Sequence, residues 1–390
     1  MQQTATDKLW TGDFVKIILV NLFIFISFHS VLPAFPYFVK SLGYGTEIAG
    51  LAAMLFSFTS IASRPFIGHA IDTRSRFVVL FAGLIGLVLI PFGYIISASI
   101  VLILIFRAIN GILLASASTA SSTIVTDIVP KKHLGKGLGM FGLSTAISTA
   151  IAPALGLAIM KHYGFMAMFA FAACVAVIGL IIAFSTPRRS PELERKPFKI
   201  SGIFEKNSVP ASLMLFFYML VFGVIETFIA LFATENNLPG GGLYFIIMAA
   251  AMVATRVTTG GLVDRYGEKP MIYACNGAMT LALLLLGLYP TPALYLLTAV
   301  LVGFGFGAMH PAMNAMAMRV ILPARRGAAS STFLCAFDLG MGIGSLGAGI
   351  LIKDFGYSAT FLLMIAGCVC CVAYYALYAR KHVSAFKKSE

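Results

Sequence analysis

Three ionisable side chains lie in stretches that are otherwise apolar. Asp338 sits in FLCAFDLGMGIG, Glu226 in FGVIETFIALF and Arg107 in LILIFRAINGILL. An acid held deep in such a stretch can take up and release a proton. A guanidinium there must face a cavity or a partner, because exposing it to hydrocarbon costs at least ~2.5 kcal/mol. Polar residues recur around them at helical spacing. Asn21 and His29 are eight apart with Phe25 between them, Arg107 and Asn110 three apart, Tyr218 and Glu226 eight apart, and His310 and Asn314 four apart. These spacings put each set on one broad face of a helix. Four helices with one polar face each can enclose an aqueous pocket for a small organic molecule, with Asp338 and Glu226 as its proton-exchanging acids. Taken singly, any of these Asn or His residues reads equally well as an interhelical hydrogen bond.

The elements that must position these residues follow from composition. The chain has 390 residues, 59% hydrophobic and 11% charged, with a mean hydropathy of +0.93. A soluble domain carries about 25% charged residues. The deficit excludes a water-soluble enzyme, a nucleic-acid-binding domain and a disordered chain. Apolar runs fall near 14–34, 46–67, 77–97, 99–127, 136–160, 164–186, 210–233, 241–262, 270–289, 293–321, 327–352 and 357–379. Twelve spans of about 20 residues need roughly 240 and leave only short loops. The runs are continuous rather than alternating, so they are helices and not barrel strands. No cleaved signal peptide is expected before the first run. The six cysteines all fall inside apolar runs and are expected to be passive packing residues, with no metal-ligand spacing and no cofactor.

Charge sets the expected orientation. With both termini in the cytoplasm, 22 of the 28 basic residues fall in inner loops and tails. The outer loops hold Lys40, Lys161 and Lys353, while Arg64, Arg107 and Arg256 lie within spans. Basic residues mark the cytoplasmic side. The net charge of +13 therefore reports topology, with anionic lipid as an incidental partner and no call for nucleic acid. The longest polar stretch holds Pro187, Pro191 and Pro197 and divides the chain. Residues 1–186 and 208–390 are expected as two six-helix bundles, joined by a cytoplasmic linker over 187–207.

The two halves align without gaps at an offset of 192: Arg64 on Arg256, Gly68 on Gly260, Asp72 on Asp264, Lys161 on Lys353, Gly164 on Gly356 and Phe169 on Phe361. Charged matches are improbable by chance in so uncharged a chain. Parallel six-span repeats are one plan of secondary transporters.

The loop after the second span of each half carries a recognisable pattern. The second copy holds Gly260, Leu262, Asp264, Arg265, Gly267, Lys269 and Ile272, and the first a worn copy with Gly68, Asp72, Arg76 and Leu80. Thr73 and Ser75 stand where Arg and Gly are usual, with Arg74 one position away. These residues resemble the loop signature of the major facilitator superfamily, and the resemblance covers essentially the whole chain. Arg107, Asn110 and Gly111 resemble its R-x-x-Q-G motif, with Asn for Gln. Gly139, Pro153 and Gly156 resemble its antiporter helix motif, with Ser148, Ala152 and Leu157 replacing glycines. The resemblance implies a multi-pass carrier of the bacterial inner membrane, monomeric and working by alternating access. It further implies proton-coupled efflux of amphiphilic drugs or a small organic metabolite, with proton-coupled uptake of a small organic solute as the alternative. The cavity would be lined by Asn21, Phe25, His29, Arg107, Asn110, Tyr218, His310 and Asn314. Arg64, Gly68, Asp72, Arg76, Arg256, Gly260, Asp264, Arg265 and Lys269 would form a cytoplasmic gate, in which Gly68 and Gly260 let two helices approach closely. The six scattered histidines and the lack of an H-E-x-x-H or a P-loop argue against an enzyme or an ATP-driven pump.

Overall fold

The computed structural model describes residues 9–73, 75–97, 99–130, 133–187, 205–266, 268–319 and 326–379. Among them every regular element is a helix. In hydrocarbon a segment must satisfy its own backbone hydrogen bonds, and the apolar runs dictate this outcome. Helix α1 spans Gly12–Val31, its first turn capped by the Thr11 hydroxyl accepting from the Phe14 amide at 3.3 Å. Pro33 and Pro36 then break it through a 3₁₀ turn into the short α2, Phe35–Ser41. There follow α3 (Thr46–Thr73), α4 (Arg76–Ile96), α5 (Ile100–Ile128), α6 (Leu134–Phe184), α7 (Val209–Glu235), α8 (Gly241–Tyr266), α9 (Glu268–Leu288), α10 (Pro292–Arg319) and α11 (Arg326–Tyr374).

Two pairs of the expected runs meet directly, without a loop between them. The runs 136–160 and 164–186 are two helices that meet at a kink within α6, and 327–352 and 357–379 meet in the same way within α11. A straight α6 of 51 residues would be about 77 Å long, more than twice the thickness of the hydrocarbon core. It bends at Gly164, which holds φ 82° and ψ 179°, and α11 bends at Gly356 with φ 78° and ψ 175°. These two glycines are partners at the offset of 192, so the repeat seen in the residues is also a repeat of backbone conformation. That conformation is essentially reserved for glycine. Nine helices among the described residues are long and apolar enough to cross a membrane, and Gly241–Arg256 is a shorter apolar stretch.

The chain clusters into two compact units. The first contains Met1–Leu32 and Ala62–Phe198, the second Pro33–Ile61 and Lys199–Glu390. Most of the linker expected at 187–207 lies outside the described residues. In the first unit α1 packs along α6, and α4 along α5 and α6. In the second, α7 packs along α11, and α10 along α8 and α9. Small residues bring these backbones together. A methyl group at Gly156 of α6 would collide with the Ser30 backbone of α1. Methyl groups at Gly340 and Gly344 of α11 would collide with the carbonyls of Phe216 and Leu220 in α7.

Gly164→Ala and Gly356→Ala should each cost about 1–3 kcal/mol, since alanine is strained at that φ. Gly347→Ala, where a methyl group meets nothing within 4 Å, should be neutral or slightly stabilising. Thermal unfolding in detergent checks both. Equal melting temperatures for all three variants would refute the backbone argument.

Candidate functional site

In the first unit, Arg107 on α5 is 1% exposed. Its Nη1 lies 3.5 Å from the Asn110 Oδ1, and its guanidinium stands 5.8 Å from the centroid of Phe28 on α1. The Tyr94 hydroxyl of α4 also interacts with it. The guanidinium is thus solvated by an amide, a phenol and an aromatic face, and a narrow crevice between α1, α4 and α5 opens beside it, lined in part by Phe28, Pro91, Tyr94 and Asn110. Tyr94 is backed by Phe169 of α6, with ring centroids 5.2 Å apart. Phe28 and Tyr94 complete this site, and sequence spacing had not singled them out. The available signal was that Phe28 lies seven residues after Asn21, on the same face of α1.

Asn21 and His29 have a different setting. Asn21 is fully buried; its amide donates to Ser144 and Thr145 of α6 at 2.9 Å each and accepts from Ser121 of α5 at 3.3 Å. Ser148 donates to the Leu22 carbonyl at 3.0 Å, and Thr149 bonds His29 Nε2 at 3.2 Å. The α1–α6 seam is therefore a polar ladder inside the unit, and Asn21 is one of its rungs. His29 is also flanked by Phe25 and Phe28, with centroids 5.9 and 5.1 Å away. The half-buried Phe25 is the more accessible of the α1 candidates.

In the second unit, Asp338 on α11 is half-buried and accepts from the Ser60 hydroxyl at 3.1 Å. The preceding residue, Phe337, belongs to a group of rings around His310 of α10. Phe306, Phe333 and Phe337 lie 5.8, 5.5 and 5.8 Å from its imidazole. Phe306 stacks on Phe222 of α7 at 4.2 Å. Asn314, one turn beyond His310, is half-buried. The fold thus brings His310 and the backbone of Asp338 to one neighbourhood. It does not bring Tyr218 there: that ring is fully buried, with its hydroxyl against Gly305 and near Cys275, Cys368 and Cys371. Glu226, 2% exposed, is far less accessible than Asp338.

Of the gate residues, Arg76 pairs with Asp127. Arg76 opens α4 and Asp127 closes α5, each at the end where the helix dipole disfavours its charge, and the ion pair relieves both. Asp127 was not identified from the sequence, because nothing in its own spacing links it to Arg76. Arg64 and Arg256 are half-buried on α3 and α8, and Lys269 is exposed at the start of α9. The side chains of Asp72, Gly260, Asp264 and Arg265 lie outside the described residues. A methyl group at Gly68 would meet no atom of the described residues within 4 Å. Gly139 is open in the same way, whereas Gly156 carries a close contact and Pro153 lies within α6.

The pattern of the Major Facilitator Superfamily matches residues 17–257 and 211–390. The chain belongs to this superfamily. Its members are carriers, so this superfamily protein is a multi-pass membrane transporter and not an enzyme. It is 25% identical over 357 residues to the uncharacterized MFS-type transporter YhhS of Escherichia coli (strain K12), covering 89% of this chain and 88% of that one. It is 27% identical over 361 residues to an uncharacterized MFS-type transporter of Burkholderia pseudomallei (strain 1106a), with the same coverage. Its fold is similar to the nucleoside transporter NupG, with TM-score 0.75 and 14% identity over 94% of this chain and 99% of that one. It is also similar to the human organic anion transporter MFSD10 (TETRAN), with TM-score 0.70 and 17% identity over 94% and 100%.

Two outcomes are expected for this superfamily member. Arg107→Ala should abolish substrate binding, and Arg107→Lys should not restore it, because an ammonium lacks the planar fork that reaches Asn110 and lies over Phe28. Ligand-induced thermal shifts read this, and a fully active Lys variant would reduce the role to charge alone. Arg76→Asp and Asp127→Arg should each lower flux, and the two together should recover much of it. A double variant no better than either single one would exclude the pair from the transport cycle.

Proposed function

We propose that this carrier is a secondary active antiporter. It exports amphiphilic drugs or a small organic metabolite by alternating access in exchange for protons. It crosses the bacterial inner membrane twelve times, as two six-helix bundles (1–186 and 208–390) with both termini cytoplasmic, and acts as a monomer. The observation that carries the proton-coupled part is Asp338, a carboxyl group within an apolar helix that is partly accessible and bonded to a hydroxyl. Ser60 can donate to a carboxylate or accept from a carboxylic acid by rotating one bond. Its partner can therefore change protonation without leaving a buried group unsatisfied. Glu226, more deeply buried, is the second acid. The three rings around His310 supply apolar surface for the greasy part of an amphiphile, and His310 and Asn314 supply polar contacts. Arg107, Asn110 and Phe25 line the corresponding region of the first bundle. The Arg64–Asp72–Arg76 and Arg256–Asp264–Arg265 clusters work as the cytoplasmic gate, breaking and reforming during the cycle.

Asp338→Asn mimics the protonated acid. The variant should retain substrate binding and counterflow but lose accumulation driven by a pH gradient. Both fluxes are measured in proteoliposomes from one preparation. If the Asn variant still concentrates substrate against its gradient, Asp338 does not couple transport to protons. The direction of that gradient-driven flux separates efflux from the alternative, uptake with protons. A thermal-shift screen against drugs, sugars, nucleosides and amino-acid derivatives at two pH values supplies the substrate.

A further inference from the structure

We infer that a cavity at one end of the second unit, between the start of α7 and the end of α11, binds the headgroup of an anionic phospholipid. The inference needs only that the second unit spans a membrane, and it holds whether the protein exports or imports. The cavity measures about 350 Å³ and is lined by Lys206, Val209, Pro210, Tyr374 and Tyr378. Small-ligand sites begin at about 300 Å³. The sequence sets its depth. Glu205, Lys206 and Asn207 precede α7, and Arg380, Lys381 and His382 follow the last described turn, so two apolar runs end at this cavity. It therefore lies at the level of lipid headgroups and not of acyl chains.

The lining is chemically one-sided. Lys206 supplies an ammonium with three donors, and Tyr374 and Tyr378 supply hydroxyls. None of the lining residues is an acid. Glu205, the neighbour of Lys206 in the chain, is buried, and its Oε1 accepts from the Asn207 amide at 3.2 Å. The Lys206 ammonium makes no hydrogen bond or ion pair among the described residues. A phosphodiester brings acceptor oxygens and one negative charge, which this lining complements. Val209 in the cavity and Leu377 beside Tyr378 in the chain are exposed apolar side chains. They give an acyl chain a surface to lie on, which a free phosphate ion would not use.

A π-helical turn, Tyr375–Ala379, sets the tyrosines. Such turns are rare and are frequent at functional sites. Here the Tyr375 ring is kept in the core, 6.0 Å from that of Tyr273 on α9, while Tyr374 and Tyr378, with ring centroids 5.5 Å apart, face the cavity. An aromatic belt explains tyrosines at this depth. It does not explain a cavity that they share with a lysine. Nor does the repeat. At the offset of 192 the positions matching Lys206, Tyr374 and Tyr378 are Phe14, Ile182 and Thr186. In the first unit the nearby cation is already engaged, since Lys16 Nζ donates to the Ser185 carbonyl at 2.7 Å. The polar set belongs to the second unit alone.

The test is local fluorescence quenching by brominated lipid. Trp10 is the only tryptophan of the chain. Full-length protein with Trp10→Phe and Leu377→Trp carries one reporter beside the cavity, and the parent carries one in the first unit. Each is reconstituted into phosphatidylcholine vesicles containing dibrominated phosphatidylglycerol or dibrominated phosphatidylcholine. The cavity reporter should prefer phosphatidylglycerol, and Lys206→Gln should lower that preference about fivefold, the worth of one basic residue facing an anionic lipid. The Trp10 reporter should not respond to Lys206→Gln. Tyr374→Phe with Tyr378→Phe keeps both rings and should lower the preference about threefold. Where the Lys206 variant inserts poorly, molar salt on the unaltered cavity should reproduce its loss. A preference that Lys206→Gln leaves unchanged, or lowers equally at both reporters, overturns the site in favour of general surface charge. A preference abolished by millimolar inorganic phosphate on both faces of the membrane overturns the lipid assignment in favour of a free anion.

Discussion

Helices surrounded by lipid gain little by pressing one leucine against another, because the lipid offers the same contact. Their association depends on how closely backbones can approach and on the polar groups that meet when they do. Much of this protein follows from that constraint. The seams α1–α6 and α7–α11 are each a line of small residues. In the first, Ser144, Ser148, Ala152 and Gly156 face α1, and in the second Gly340, Gly344 and Ala348 occupy the matching positions at the offset of 192. Serine can do what glycine does and also donate to an exposed carbonyl, as Ser148 does to Leu22 and Ser345 to Gly223. The degraded glycine pattern of α6 is in this sense a conversion of bare contact into hydrogen-bonded contact.

The same constraint separates the polar residues into two populations that look alike in sequence. Asn21 makes three side-chain hydrogen bonds within its unit and has no exposed surface. Asp338, at a similar remove from the helix ends, keeps part of its surface. Helical spacing identifies the face a residue lies on, and both residues pass that criterion. It does not say whether a second helix covers the face with hydroxyls, and that decides between a group that holds the fold and one that can meet a ligand. Ser121, Ser144 and Thr145 are unremarkable in sequence, since Ser and Thr in membrane helices usually bond their own preceding turn.

Legibility in the sequence tracked the range of the interaction. Helical runs are local, and they were readable. The glycine pair 164 and 356 was readable because the repeat compares like with like, and the shared φ and ψ followed. The break between adjacent runs inside α6 and α11 was readable as well: a glycine beside a polar Lys-His-Tyr or Lys-Asp-Phe ends a helix, and each element is two helices meeting at a kink at that glycine. The Arg76–Asp127 pair and the Phe28–Tyr94 setting of Arg107 join residues on different helices, and no periodicity within one helix encodes them.

Strength is distributed in a way that suits a moving protein. Glycine lines gain from many contacts that all form or all fail together, so a seam built on them is either closed or open. Exposed ion pairs gain little and lose it gradually as water and salt intervene. A close seam alone would favour one arrangement too firmly, and ion pairs alone would specify none. On α11 the two occur along one helix, with Gly340 and Gly344 toward α7 and Gly342 and Gly349 toward α3, and Lys353 beyond them near the bend at Gly356. The α7 side carries buried hydrogen bonds such as Thr227–Ser345 at 2.9 Å, while the α3 side ends in solvent-exposed charge. One face of the helix is therefore held by buried hydrogen bonds while the other ends in exposed charge, and Asp338 lies on the helix that carries both.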